Sequence, residues 1–496
     1  MLSLREWLLQ NEVYLDPRLE IEQAPTLRVI ALDSIPPDHT VARIPKTLIL
    51  SRRNSSLSSR FSLVAQHQLD SLSPPLQLSV HVFYELSLGA ASKWAGYFEH
   101  CPRDIIDIGL LWEKEGEASR WIVGTELERE LERINVDRTI LSNLCTSLVL
   151  PLFSSLFPPP HFDYSHPLKD LELFCYAYSL VSSRSFQIDP NFHLLALVPF
   201  ADAFNHLNPE ENHVELVSGI EGEGWVCGVC GRVEECLHDR EETESLPTRD
   251  VPAKREGEDD DTVEMVTTYA PVQQGEEMFN SYGALSNARL IAEYGFRLEA
   301  NEHDKVTFTR DEIGEIMLEI GMDVRAEERK IEVEEESEEE EHPLIAYRNH
   351  SGTLSRGYYF DADAKISHDL WDLLVDSVSA THDSRDRRNE LRDSLARLVT
   401  QEEEDEEEVI TLLPEVRAAL SMIAQVVQSM CRRRLQAQFQ SSLTGSEVLD
   451  QAENMKDGRL KLAMEFVAEE RLLLERVIEN WQAALPIAIP RNEDQI

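Results

Sequence analysis

Three runs of almost unbroken acid constrain this chain more than any other feature. Residues 256–261 (EGEDDD) hold five acidic residues, 332–341 (EVEEESEEEE) hold eight and 402–408 (EEEDEEE) hold seven, and none of these spans contains a basic residue. Such runs repel themselves and cannot enter a core. Each reads as a solvated loop, and the fold must be built from the blocks between them. Removing these 20 acidic residues takes the net charge only from −45 to −25, so the blocks are acidic as well. A surface of that sign repels phosphate backbones and anionic membranes. Nucleic acid and lipid are therefore not expected as partners, and a basic protein is.

The blocks have ordinary globular composition. Hydrophobic residues make up 42% of 496 residues, enough for sizeable cores. No stretch approaches the roughly 18 apolar residues of a membrane span, since the run Leu144–Phe157 is broken by Pro151. The start, MLSLREWLLQNEVYL, is amphipathic and carries Glu6 and Glu12, unlike a signal peptide. An intracellular monomer is expected, in the cytoplasm and also the nucleus. The cysteine count of 7 is odd, which argues against a disulfide framework.

Along the chain, residues 26–50 read as short strands punctuated by Pro36-Pro37 and Pro45. Residues 51–73 are Ser-rich and read as loop. Val82, Leu86, Ala90, Trp94 and Phe98 recur every four residues, a helix stripe, and helical patterns continue around 125–155 and 169–181. Residues 191–217 alternate short apolar runs with turn formers, and 263–283 reads as strand, turn at Gly275, strand. Beyond about 365 the pattern is helical. This order lacks the βαβ rhythm of a doubly wound sheet and predicts an α+β fold.

No GxxxxGK[ST], GxGxxG, HExxH or GxSxG occurs. The candidate chemistry lies in four polar segments set among apolar strands: Ser183-Arg184-Ser185-Phe186, PFADAFNH (199–206), EEMFNSYG (276–283) and NARLIAEYGF (287–296). With ARIPKTLILS (42–51) and LSLGAASKWAGYF (86–98), these six motifs resemble, in order, the SET-domain lysine methyltransferases. The branch is that of the Rubisco large-subunit methyltransferases and the fungal ribosomal-protein and elongation-factor lysine methyltransferases.

The resemblance implies a mostly-β SET fold over residues 1–298, with a helical insert at about 77–182 and an acidic, Cys-rich insertion at about 218–262. An acidic linker (299–364) would lead into a helical substrate-binding C-terminal lobe (365–490). It implies an S-adenosylmethionine-dependent enzyme acting on lysine of a ribosomal protein or elongation factor. Tyr282 would be catalytic. Thr26, Leu27, Arg28, Arg184, Asn205, His206, Tyr282 and Phe296 would hold the cofactor, and Arg184, Asp202 and Tyr294 would meet the substrate. The segment Thr26–Ala31 lacks the glycines the family carries there, so a catalytically silent SET-fold adaptor binding basic proteins stays open as the second reading. Methyl transfer itself needs an in-line neutral amine and little acid–base apparatus, which suits this set of residues.

Cys227, Cys230, Cys236 and His238 lie within 12 residues, with Gly228 and Gly231 easing turns. Three thiolates and an imidazole at that spacing form a candidate structural Zn²⁺ site, closed by four protein ligands. A polar loop with incidental cysteines is the alternative.

Overall fold

A computed structural model describes residues 2–23, 27–60, 63–156, 168–218, 227, 262–322, 344–346, 356–380, 387, 389–392, 394–395, 414–456 and 458–487. The chain divides into two compact units: Met1–Leu111, Val136–Ala284 and Glu293–Gly295 form the first, and Trp112–Asn135, Leu285–Ala292 and Phe296–Ile496 the second.

Among its described residues the first unit holds the strands β1 (Tyr14–Leu15), β2 (Leu19–Glu22), β3 (Arg28–Ala31), β4 (Thr40–Pro45), β5 (Leu50–Ser51), β6 (Ser185–Asp189), β7 (Leu194–Leu197), β8 (Asn205–His206), β9 (Val214–Val217), β10 (Thr262–Thr267) and β11 (Glu277–Asn280). The main sheet runs β1-β4-β10-β9-β11-β3-β2, with β8 added on β11, and β5-β7-β6 form a second sheet. Alternation decides which face is buried: in β10 Val263, Met265 and Thr267 point inward, while Thr262, Glu264 and Val266 are half-buried. Most pairings are antiparallel. One of the parallel pairings matters for function: β8 lies parallel to β11, with Asn205 opposite Phe279 and His206 opposite Asn280. Two segments some 70 residues apart are thereby locked side by side.

Helices of the insert complete this unit. Helix Asp170–Arg184 buries Leu173 through Val181 without a break, as a helix surrounded by protein must. It packs on helix Pro74–Ser87, with Phe83 edge-on to Phe174 at 5.9 Å and to Phe153 at 5.2 Å. A five-residue π segment, Cys145–Val149, precedes Pro151, which lacks an N–H and crowds the carbonyl four residues back.

Two expectations are corrected. The stripe from Val82 to Phe98 is not one helix: it stops at Ser87, turns at Gly89 (φ +54°), and resumes as Ala95–Phe98. The buried Glu85 carboxylate takes the hydroxyls of Ser55 (2.9 Å) and Ser92 (2.8 Å) and fixes that break. The stretch 51–73 is not all loop, because Leu63–Asp70 is helical. Serines at 55–59 hid the following LVAQHQLD run.

The second unit is mainly helical. Helices Arg310–Ile320, His368–Ser379, Pro414–Ala437 and Arg459–Ile487 bury Ile313, Leu374, Ile423, Val427, Leu474 and Val477 in one core. A separate cluster joins Leu127, Ile291, Val448 and Val467. Strands β12 (Lys305–Phe308), β13 (Ile345–Ala346), β14 (Tyr358–Asp361) and β15 (Ile366–Ser367) add a small sheet. Among the described residues, no helix is long and apolar enough to cross a membrane.

Candidate functional site

The parallel β8–β11 pair fixes where the polar segments meet. The chain enters β8 through Phe200, whose φ of +81° and ψ of −42° are costly for a bulky side chain. Full burial of Phe200 and an edge contact with Phe204 at 5.2 Å hold it there. One 3₁₀ turn, Ala201–Ala203, then presents Asp202, whose side chain is only 3% exposed. Opposite it stands Arg184, the last residue of helix Asp170–Arg184, where a cation also complements the helix dipole. Arg184 Nη1 donates to the Asp202 carbonyl at 3.0 Å and to Oδ2 at 3.2 Å. Burial pushes the Asp202 carboxyl up, against the pull of Arg184 and of a hydrogen bond from Tyr97. Burial pulls the Arg184 guanidinium down, yet Asp202 outweighs it and the net shift is up. With a donor fork this close, the ion pair is the form the geometry supports.

Tyr282 follows β11 directly. Its ring is sandwiched between His206 (4.8 Å, 16°) and Tyr294 (5.0 Å, 21°). Its backbone N–H donates to His206 Nδ1 at 3.1 Å, which leaves Nε2 of that ring to carry the proton. Its hydroxyl donates to the Phe204 carbonyl at 3.2 Å. Burial pushes the phenol up to about 12, with Arg184 pulling it down and Asp202 adding to the rise. Near neutral pH the group is a phenol and not a phenolate, so it works by hydrogen bonding and not as a base. Tyr294 is set by its neighbour: Gly295 has φ +80°, and a Cβ there would lie 2.8 Å from the Asp107 carbonyl. The Glu293 carbonyl accepts the Ser182 hydroxyl at 2.8 Å, tying the segment to the Arg184 helix. Arg184, Ser185, Asp202, Ser281, Tyr282 and Tyr294 line one cavity of ≈ 140 Å³.

Asn205 points elsewhere. Its amide donates to Glu277 Oε1 at 2.7 Å. Arg28 on β3 faces the same carboxylate at 3.8 Å and binds Glu22 at 2.6 Å. The structure thus connects Asn205 and Arg28 through Glu277, a residue the sequence reading quoted only within its motif. Leu27 is half-buried just before β3. Thr26 lies outside the described residues, and Phe296 belongs to the second unit. Of the metal candidates, Cys227 is buried, and Cys230, Cys236 and His238 lie outside the described residues. Tyr97, which hydrogen-bonds Asp202 at 2.8 Å, was also missed. Its only signal was its place in the WAGYF end of the insert motif.

No family model matches the chain. It is similar to ribosomal lysine N-methyltransferase 3 of Saccharomyces cerevisiae, 27% identical over 357 residues that cover 60% of this chain and 61% of the relative. It is similar to N-lysine methyltransferase SETD6 of Rattus norvegicus, 25% identical over 304 residues, 58% of this chain and 52% of the relative. The chain thus spans less than two thirds of either relative's length. Among solved structures it matches the SET domain of LSMT bound to lysine and AdoHcy, with a TM-score of 0.55, 18% identity, 98% of this chain and 91% of that one covered. Rubisco LSMT bound to AdoMet matches with a TM-score of 0.53 at 16% identity, covering 98% and 92%. The chain has the fold of these SET-domain structures. The α+β class and the branch resemblance read from the motifs are borne out.

Proposed function

We propose that this SET-domain protein is a protein-lysine N-methyltransferase using S-adenosylmethionine. The observation that carries the proposal is Tyr282: a neutral phenol, stacked on both faces and closing a small cavity beside the Arg184–Asp202 pair. Asp202 Oδ1 and Arg184 Nε are buried without hydrogen-bond partners, as polar atoms awaiting a ligand would be. Asn205, His206, Arg184 and Tyr282, with Leu27 and Arg28, are the first-unit residues assigned to hold the cofactor. When bound, S-adenosylmethionine supplies an electrophilic methyl group on a cationic sulfonium.

The chain's own residues do the rest. A lysine amine has a pKa near 10.4 in water and must be neutral to attack. A dry, aromatic cavity favours that neutral form. Tyr282 donates its proton to the Phe204 carbonyl, and a hydroxyl that donates in this way meets the N–H of the amine as an acceptor. That orients the nitrogen lone pair along the line of transfer.

The net charge of −45 and the name of the yeast relative support a basic protein of the translation machinery as substrate, in the cytoplasm or nucleus. Incubation of the purified protein with labelled S-adenosylmethionine and cell lysate, followed by mass spectrometry, tests this. Label on a lysine of a basic ribosomal protein or elongation factor is the expected result. A cofactor-binding protein that labels nothing overturns it.

One observation favours the silent adaptor. The Asn205 amide already serves Glu277, beside a strand that lacks the expected glycines. Calorimetry separates the readings: micromolar S-adenosylmethionine binding supports the enzyme, and no binding supports the adaptor.

A further inference from the structure

Asp202 is held from behind by a residue that takes no part in the cavity wall. Tyr97 is 2% exposed, and its hydroxyl donates to Asp202 Oδ2 at 2.8 Å. That oxygen also takes Arg184 Nη1, so the two donors together fix the rotation of the carboxylate. Oδ1 is left buried without a hydrogen bond, and Asp202, Arg184 and Tyr282 share the cavity.

Tyr97 is itself fixed. Its ring stacks on Trp7 of the N-terminal helix at 6.4 Å and 29°. The preceding residue must be glycine, because a Cβ on Gly96 would lie 2.2 Å from Trp7 Cδ1. Trp94 anchors the same short helix by donating Nε1 to the Leu48 carbonyl at 2.6 Å. A hydroxyl carried on so constrained a ring has one direction to point. That is the arrangement expected where a supporting shell locks the group that touches substrate.

We infer that Tyr97 is a positioning residue for methyl transfer, holding the Asp202 carboxylate so that its free oxygen and Arg184 are presented to the Tyr282 cavity. This rests on the methyltransferase reading of that cavity. The groups facing Asp202 are Arg184 from its helix end, Tyr97 and Cys101 from the insert, and Tyr282 from beyond β11. Burial first of all pushes Tyr97, Cys101 and Tyr282 up, so they are neutral near pH 7. Arg184 is the one cation in this set, and the Tyr97 hydroxyl is the one neutral side-chain donor to the carboxylate.

The experiment uses the full chain labelled with ¹³C at the aspartate carboxyls, with Asp202→Asn to assign the resonance. In Tyr97→Phe the Asp202 carboxyl should titrate about one to two pH units higher, the shift expected for one lost hydrogen bond to a carboxylate. Methyl-transfer kcat/KM should fall at least about tenfold. In the Asp202→Asn background the same change should cost less than about twofold, since Tyr97 acts through the carboxylate. Trp7→Phe tests the packing that aims the ring: it should lower Tm and move the Asp202 titration less than Tyr97→Phe does, because the hydroxyl is retained. An unmoved titration in Tyr97→Phe overturns the inference, as does a loss that multiplies in full with Asp202→Asn. A wild type that transfers no methyl group overturns the role in catalysis through the methyltransferase reading. The titration then still tells whether Tyr97 holds the carboxylate, so the two failures are distinguishable.

Discussion

Replacing Tyr282 by Phe removes one oxygen and nothing else from the proposed site. The ring keeps its stacks on His206 at 4.8 Å and Tyr294 at 5.0 Å, and the backbone N–H still reaches His206 Nδ1. The lost hydroxyl donates to the Phe204 carbonyl at 3.2 Å, a long contact at a half-buried position. Its removal should cost folding stability no more than about 0.5–1.5 kcal/mol. The effect on rate is expected to be larger. If the oxygen orients the attacking amine, the interaction matures in the transition state, and at about 1.4 kcal/mol per decade the loss is at least about tenfold in kcat. KM and S-adenosylmethionine affinity should change little, because the hydroxyl is not asked to hold the ground state. Steady-state kinetics with labelled cofactor, calorimetry and a thermal melt on both proteins give all three quantities. A variant with wild-type kcat removes the hydroxyl from the mechanism. One with wild-type kcat and raised KM makes it a binding group.

Other outcomes follow from the same geometry. Asn205→Ala should weaken S-adenosylmethionine binding by about 1–3 kcal/mol while altering substrate KM less, since Glu277 loses its amide partner at 2.7 Å; unchanged cofactor affinity in calorimetry counts against the assignment. In the second unit, burial pushes Glu469 up to about 7 and Asp304 up to about 6, both above their ordinary values. Carboxyls shifted in that direction favour the folded state most at low pH, and the benefit is lost as pH rises through about 6 to 7. Glu469→Gln should therefore flatten the fall in Tm between pH 5 and pH 8 by a few degrees, roughly the size of a 1 kcal/mol effect, and an identical pH slope would refute the cause. Elemental analysis should find about one zinc per chain, lost in Cys227→Ser/Cys230→Ser; a metal-free, folded wild type leaves the cysteines incidental.

What was legible in the sequence is what depends on short range. Strand alternation around 263–283 and the turn at Gly275 appear where expected, because period and turn chemistry are local. Tyr282, Arg184, Asp202 and Tyr294 could be proposed from motifs and do share a cavity. The stripe from Val82 to Phe98 misled, because its periodicity runs through a break fixed by Ser55, which lies 30 residues from Glu85. No local signal carries that contact. Apart from its place in the WAGYF segment, Tyr97 reads as one more aromatic in an apolar helix and acquires its partner only across 105 residues.

The same contrast bears on how such a site is made. Asp202 sits on a turn strained at Phe200, and Tyr282 follows a parallel pair two residues long, neither of which is stable alone. What holds them is a helical insert separated from them in sequence. Helix Asp170–Arg184 supplies Arg184 and, through Ser182, the anchor of Tyr294; helix Ala95–Phe98 supplies Tyr97. The insert is thus more than a covering for the sheet. Two of its helices deliver side chains to the Asp202 carboxylate from two sides, and a third element, the N-terminal helix, sets one of them through Trp7. Displacing either insert helix would move a charge or a donor at the cavity without touching its walls, so substitutions deep in the insert should alter catalysis before they unfold the sheet.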